Sequence, residues 1–308
     1  MKRILLSLLA MATLASCSKN DDNGSDSAKH LVKKITEKDE DGKLEEVITL
    51  TYEGGRPVSF SEANYENGVQ TGTTAITTIS YEGNFVKRIK VENAGRDNSE
   101  QNFTYKDGKL VTKTEKYESD YRTYTYQYSY AGNRLTNVLQ SHPTTIYVNG
   151  GTQSGTYYRE KQFTYNGNTV IVVTTRYEKD LNGAVVTNTS YSYGTDTTTY
   201  TLSDGNVVKV VESDPNSINE YTYDTKCNPL YNTINFVDPD PTSFLDADSG
   251  KHNILTYKNT HEHNGTKDET LSTFEYTYNA DGYPTVVKQY KKEGNGEREF
   301  QGTKEYEY

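Results

Sequence analysis

The chain of 308 residues has no tryptophan, two cysteines, two methionines and seven prolines. Each shortage excludes something. Cys17 and Cys227 are far apart and only two, so no disulfide framework organises the fold, and Cys227 reads as a small hydrophobe rather than a nucleophile. Hydrophobic residues make up only 32%, and 28 tyrosines supply much of that share. Leucine is scarce after the first turns of the chain, so a thick conventional core is hard to build. Basic residues are also short, 33 against 43 acidic, for a formal charge of −10. An acidic chain without a basic stripe repels phosphates, and no nucleic-acid partner is expected. A Gly-x-Ser-x-Gly element, a P-loop and a dinucleotide fingerprint are all missing, so no catalytic residue is assigned and no cofactor is expected.

The start of the chain is the most specific local signal. Met1-Lys2-Arg3 precedes an apolar run from Ile4 to Ala12, too short to span a bilayer but matching a signal-peptide core. Leu14-Ala15-Ser16-Cys17 resembles a lipobox, in which small residues admit the peptidase and the Cys17 thiol carries the lipid. Residues 1–16 are therefore expected to be removed, and losing Lys2 and Arg3 deepens the negative charge by two. Residues 17–27 read as the lipidated cysteine and a flexible acidic tether, with no apolar residue after Cys17 to offset ordering entropy. Cys17-Ser18-Lys19-Asn20-Asp21-Asp22 resembles the acidic export signal of Gram-negative surface lipoproteins. That resemblance implies an outer-membrane anchor facing outward, with the periplasmic face as the alternative.

Residues 28–308 read as one repetitive domain. Nine times a large apolar or aromatic residue stands two positions before another large residue, a tyrosine: Leu50/Tyr52, Ile79/Tyr81, Phe103/Tyr105, Tyr128/Tyr130, Phe163/Tyr165, Tyr191/Tyr193, Tyr221/Tyr223, Tyr276/Tyr278 and Tyr306/Tyr308. Period-two alternation places each pair on one face of a strand. In Tyr124-Thr125-Tyr126-Gln127-Tyr128-Ser129-Tyr130, four tyrosines share one face. Turn signals follow directly, as in Lys106-Asp107-Gly108 and Ala131-Gly132-Asn133, and then a second strand begins. Consecutive hairpins without helical segments give an all-β antiparallel meander, an up-and-down β-barrel or a strongly curved sheet.

One interval breaks the rhythm. At about 235–252 an insertion carries Pro239 and Pro241, which cannot sit in a central strand, and the Phe244-Leu245 pair, which could cap or plug a barrel end. Asn253 to Tyr257 reads as the returning strand. Asp238, Asp240, Asp246, Asp248 and Gly250 make this loop oxygen-rich, but Asp246-x-Asp248-x-Gly250 lacks the remaining EF-hand spacing. His261-x-His263 would project two imidazoles to one face of a strand, yet a zinc site wants three or four ligands. Solvated loop acids and exposed loop histidines are the favoured readings, so no metal is assigned, with Asp246, Asp248, His261 and His263 as the only candidates.

The repeat is loosely similar to YD-repeat proteins, with Tyr223-Asp224 as the literal dipeptide. It more closely resembles a family of bacterial surface lipoproteins classed as a domain of unknown function with a porin-like fold. Tyr221-Thr222-Tyr223-Asp224, Asn228-Pro229-Leu230-Tyr231 and Tyr276 to Pro284 carry that likeness. The chain departs from the pattern at His252, where an asparagine is expected. The resemblance implies a barrel and brings no activity with it.

A non-catalytic surface lipoprotein with a binding or scaffold role follows, its partners the membrane through the lipid and a surface polysaccharide or protein. Tyr124, Tyr126, Tyr128 and Tyr130 are the candidates for stacking on sugar rings, against the alternative that they line a barrel. A carrier or pore-like barrel for a small ligand is the second reading, and a glycan-directed hydrolase the third, because an acidic chain offers many carboxylate pairs. Strands that mix Thr, Glu and Lys on both faces favour a water-soluble barrel over a transmembrane one, despite the aromatic C-terminus Tyr306-Glu307-Tyr308.

Overall fold

The computed structural model describes residues 30–93, 98–148, 151–186, 194–213, 216–231, 239–263 and 265–308. The lipobox, Cys17 and the tether lie outside the described residues, as do Tyr191, Tyr193 and Asp238. The first strands are β1 (Lys34–Lys38), β2 (Leu44–Glu53), β3 (Arg56–Glu66), β4 (Val69–Glu82), β5 (Phe85–Glu92) and β6 (Ser99–Lys106). Then come β7 (Lys109–Tyr117), β8 (Asp120–Ala131), β9 (Arg134–Val148), β10 (Gly151–Asn166), β11 (Thr169–Asp180) and β12 (Val185–Val186). The series continues with β13 (Thr195–Ser203), β14 (Asn206–Ser213), β15 (Asn216–Cys227), β16 (His252–His263), β17 (Thr266–Tyr278), β18 (Pro284–Glu293) and β19 (Glu299–Glu307).

Every pairing is antiparallel and almost every one joins sequence neighbours. β1 pairs with both β2 and β19, so the meander closes on itself. The short β12 and β13 both pair with β11, at different heights, so nineteen strands make eighteen staves. The barrel expected from the repeat is the observed fold. Closure removes the exposed edges that a sheet of this size would otherwise present.

Turn chemistry sets the hairpins. Asp107 and Gly108 both have positive φ, 52° and 76°, the pairing that a two-residue hairpin turn needs to match strand twist. Just before the turn, several hairpins carry a register shift: at Thr51/Tyr52, Ser80/Tyr81, Thr104/Tyr105, Ser129/Tyr130, Thr201/Leu202 and Thr277/Tyr278. The repeat tyrosine therefore sits at a bulge, which bends the strand and sharpens its twist at one rim. Between Tyr165 and Tyr223 the equivalent pair in the described residues is Tyr200/Leu202 on β13.

Alternation separates two faces. Ile79, Ile89, Phe103, Tyr128, Val138, Phe163 and Val172 point inward and form the largest apolar cluster. The outward face is polar and charged, with Arg88–Glu100 at 2.5 Å, Lys209–Glu220 at 3.0 Å, Lys258–Glu269 at 2.8 Å and Lys38–Glu305 at 2.6 Å. Each charge facing hydrocarbon near a bilayer midplane would cost about 2–4 kcal/mol for Lys or Arg. The exterior thus carries ion pairs on several staves.

A barrel of 16–18 strands is too wide for its wall side chains to fill. Here the insertion supplies the missing centre. It starts earlier than the sequence suggests, directly after Cys227, and ends at His252. Leu230 packs against both the large cluster and the Val32, Ile35 and Ile48 group at the β1 seam. Phe244 stacks on Tyr165 with centroids 6.5 Å apart, and Ala247 packs with Val207 and Val210. The Phe244-Leu245 pair plugs the barrel, as its apolar character suggests.

Candidate functional site

The inserted loop is held at its base and at its tip. At the base, Asn228 Nδ2 donates to the carbonyls of Asp248 and Gly250 at 2.8 and 2.9 Å. Asn206 Oδ1 accepts the His252 backbone N–H, and Asp224 accepts both the backbone N–H and the Nδ2 of Asn253. The Tyr278 hydroxyl also donates to Asp224. At the tip, Asp240 Oδ1 accepts from the backbone and hydroxyl of Thr242, and its Oδ2 accepts from Tyr128 at 3.2 Å. Lys113 lies 3.6 Å from the same oxygen. The loop is thus fastened across the lumen rather than laid over it.

Between this loop and the staves β16 to β19 and β1 lies a cavity of about 260 Å³. Glu37, Asp248, Phe274, Tyr276, Lys304 and Tyr306 are among the side chains lining it. Lys304 Nζ pairs with Glu37 Oε1 at 2.6 Å. Burial works against the Lys304 charge, but Tyr306 and the Glu37 carboxylate outweigh it and hold the ammonium above its usual pKa. Asp248, among the residues that line the cavity, keeps open surface. Burial, reinforced by Asp246, pushes its carboxyl pKa up. Burial likewise pushes up the hydroxyls of Tyr276 and Tyr306, so the cavity has two neutral phenols beside an ion pair and a carboxylate. Such walls offer fixed charge, hydrogen-bonding groups and aromatic faces to a small polar solute.

A group of inward carboxylates lies close by. Burial, with Glu37 and Glu62 adding repulsion, pushes Glu46 up to about 7. Neither Glu46 nor Lys304 stands out as a motif. Their signal is a charge on the tyrosine face, since Glu46 alternates with Ile48, Leu50 and Tyr52, and Lys304 precedes Tyr306 and Tyr308 by even steps.

The four stacking candidates all face the lumen. Tyr124 donates to Asp120 at 2.8 Å and Tyr126 to Glu115 at 3.1 Å, while Tyr130 donates to the Leu110 carbonyl at 2.9 Å. Tyr128 is 5% exposed, under the loop tip. They line the barrel and present no flat face on its exterior. Asp246 and Asp248 come together, with Asp246 Oδ1 accepting the Asp248 backbone N–H at 3.1 Å. His261 corrects the loop reading, because it lies within β16, opposite Ser217 and Asp268, on the inward face. His263 ends that strand, and its side chain lies outside the described residues. Among the described residues no three His, Cys, Asp or Glu side chains gather around a metal position.

Comparison with known proteins adds little chemistry. No family model and no curated protein matches the chain. Two crystal structures of porin-like proteins are similar over most of their length. The one from Bacteroides uniformis is 16% identical, covering 90% of this chain and 96% of that one, with a TM-score of 0.42. The one from Bacteroides vulgatus is 12% identical, covering 90% and 98%, with a TM-score of 0.41. The barrel stands on its own strand pairing.

Proposed function

We propose that this protein is a non-catalytic carrier, a water-soluble barrel tethered through Cys17 that holds a small polar solute in its lumen. The observation that carries the reading is the cavity between the fastened loop and the β16–β1 wall. It combines open volume with a solvent-accessible carboxylate, an ion pair and aromatic walls. The tether places the barrel at the outer membrane facing outward, where a surface saccharide is one solute that Tyr276, Tyr306 and Asp248 could receive. The lumenal placement of Tyr124 to Tyr130 favours enclosure over surface stacking.

A pore is the competing reading. The loop fastened across the lumen and the ion pairs on the outer face both oppose it. The test uses dye-loaded vesicles of outer-membrane lipid composition and the mature lipidated chain. A carrier attaches to them and releases no dye. Release of dye in proportion to protein would overturn the carrier reading.

A further inference from the structure

A second group of charges lies on the wall formed by β7 to β11, on different staves from the cavity. Strand register places Lys113 beside Tyr126, Tyr126 beside Gln140, Gln140 beside Arg159 and Arg159 beside Arg176, in one inward-facing row. Lys161 faces the same way two residues along β10. Like charges directly opposite one another across a sheet repel, and Arg159 and Arg176 are so placed.

Three of the carboxylates nearby are already engaged. Asp196 pairs with Arg176, and Asp240 is taken by Tyr128, Thr242 and Lys113. Glu115 accepts from Gln101, Tyr117 and Tyr126. Glu178 is inward and buried on β11, two residues beyond Arg176, opposite Tyr157 rather than Arg159. Among the described residues Arg159 and Lys161 make no hydrogen bond or ion pair, and the Arg159 Nε is buried without an acceptor. Burial, with Arg159 adding to it, lowers the pKa of the Lys161 amine in spite of the opposing pull of Asp240. A largely buried cation with no bonded counter-charge is costly, and an anion supplied from outside lowers the cost.

We propose that Arg159 and Lys161, backed by Lys113 and Arg176, form a lumenal site for an oxyanion, the phosphate or sulfate group of a small solute. The Arg159 fork matches two oxygens of such a group, and Lys161 adds a point charge. Tyr157 and His142, neighbours on the same inward face, are only half-buried, so lumenal solvent reaches the row. The site does not depend on what the loop cavity holds.

The test is calorimetric titration of the mature full chain with inorganic phosphate and with sulfate, against chloride at matched ionic strength. Saturable one-to-one binding of either oxyanion, with a raised Tm that chloride does not reproduce, is expected; the tighter of the two names the ester class. Lys161→Met should weaken binding at least tenfold, while the outward Lys209→Met leaves it unchanged. Arg159→Lys, which keeps the charge and loses the fork, should also weaken it at least tenfold and serves if Lys161→Met fails to fold. Oxyanions indistinguishable from chloride, or variants that bind as the parent does, would overturn the site. Neither result bears on solute retention in the loop cavity, which is measured separately.

Discussion

Tyr130 follows Tyr128 by two residues on β8, and its hydroxyl reaches back to the Leu110 carbonyl on β7. The β7–β8 ladder has already stopped at Thr112 and Gln127. The same relation recurs where Tyr81 donates to Pro57, Tyr223 to Val207 and Tyr308 to Pro284, at 2.6 to 2.8 Å. In each case the bulged rim pulls two staves apart, and a phenol satisfies a carbonyl that the backbone no longer reaches. At these four positions the hydroxyl does what a phenylalanine could not. Tyr130→Phe should lower unfolding free energy by about 1 kcal/mol, measured by denaturant titration, with the fold unchanged. An unaltered midpoint would show that the bond contributes nothing. Glu46 acts oppositely. Its carboxyl is raised to about 7 in the folded barrel against 4.5 unfolded, so the stability tied to its proton is complete at low pH and is lost as pH rises through 7. Glu46→Gln should therefore be more stable than the parent at pH 8, with the gain vanishing toward pH 4.5. Equal stability of the two at pH 8 would contradict the buried carboxylate cluster.

Hairpins are the elements most legible in the sequence, because period two and Gly or Asn turns are local signals. Phe103, Tyr105 and Asp107-Gly108 alone define β6, its inward face and its turn. What local reading misses is parity after the turn. The bulge at Thr104/Tyr105 leaves Leu110 inward but also turns Lys113 and Glu115 inward, an odd step later, where simple alternation would send them to solvent. Lys113 and Glu115 were hidden for that reason, whereas Glu46 keeps even steps with Tyr52, and Arg159 and Lys161 with Phe163, so each was legible as a charge on the inward face. The barrel was expected from the repeat, but the strand that closes it was not, since no residue in β1 announces β19 as its partner. The seam nevertheless has a sharp requirement. Gly302 has φ +137°, and a Cβ there would lie 2.2 Å from the Lys38 carbonyl oxygen of the adjacent stave. Gly302→Ala should cost roughly 1–3 kcal/mol for the backbone conformation alone, and more for the clash. Thermal unfolding checks it, and a Tm equal to the parent's would mean the seam is not closed there.

At the scale of the whole molecule, three sequence features converge on one design. Scarce aliphatic residues limit the wall to a thin apolar lining, eighteen staves make it wide, and the insertion between β15 and β16 fills the centre that the wall cannot. The prolines and the Phe244-Leu245 pair marked that loop in advance. Its fastening to Asn206, Asp224 and Tyr128 comes from strands distant in sequence and could not be read from it. The charged exterior and the plugged lumen are the two features on which the proposed carrier role rests. Native mass spectrometry of the mature full chain, after incubation with a small-molecule extract from bacteria and desalting, tests this most directly. A carrier retains a discrete mass of solute, and Gln289→Phe, which fills the cavity, abolishes it. Identical bare masses for the parent and Gln289→Phe would contradict it.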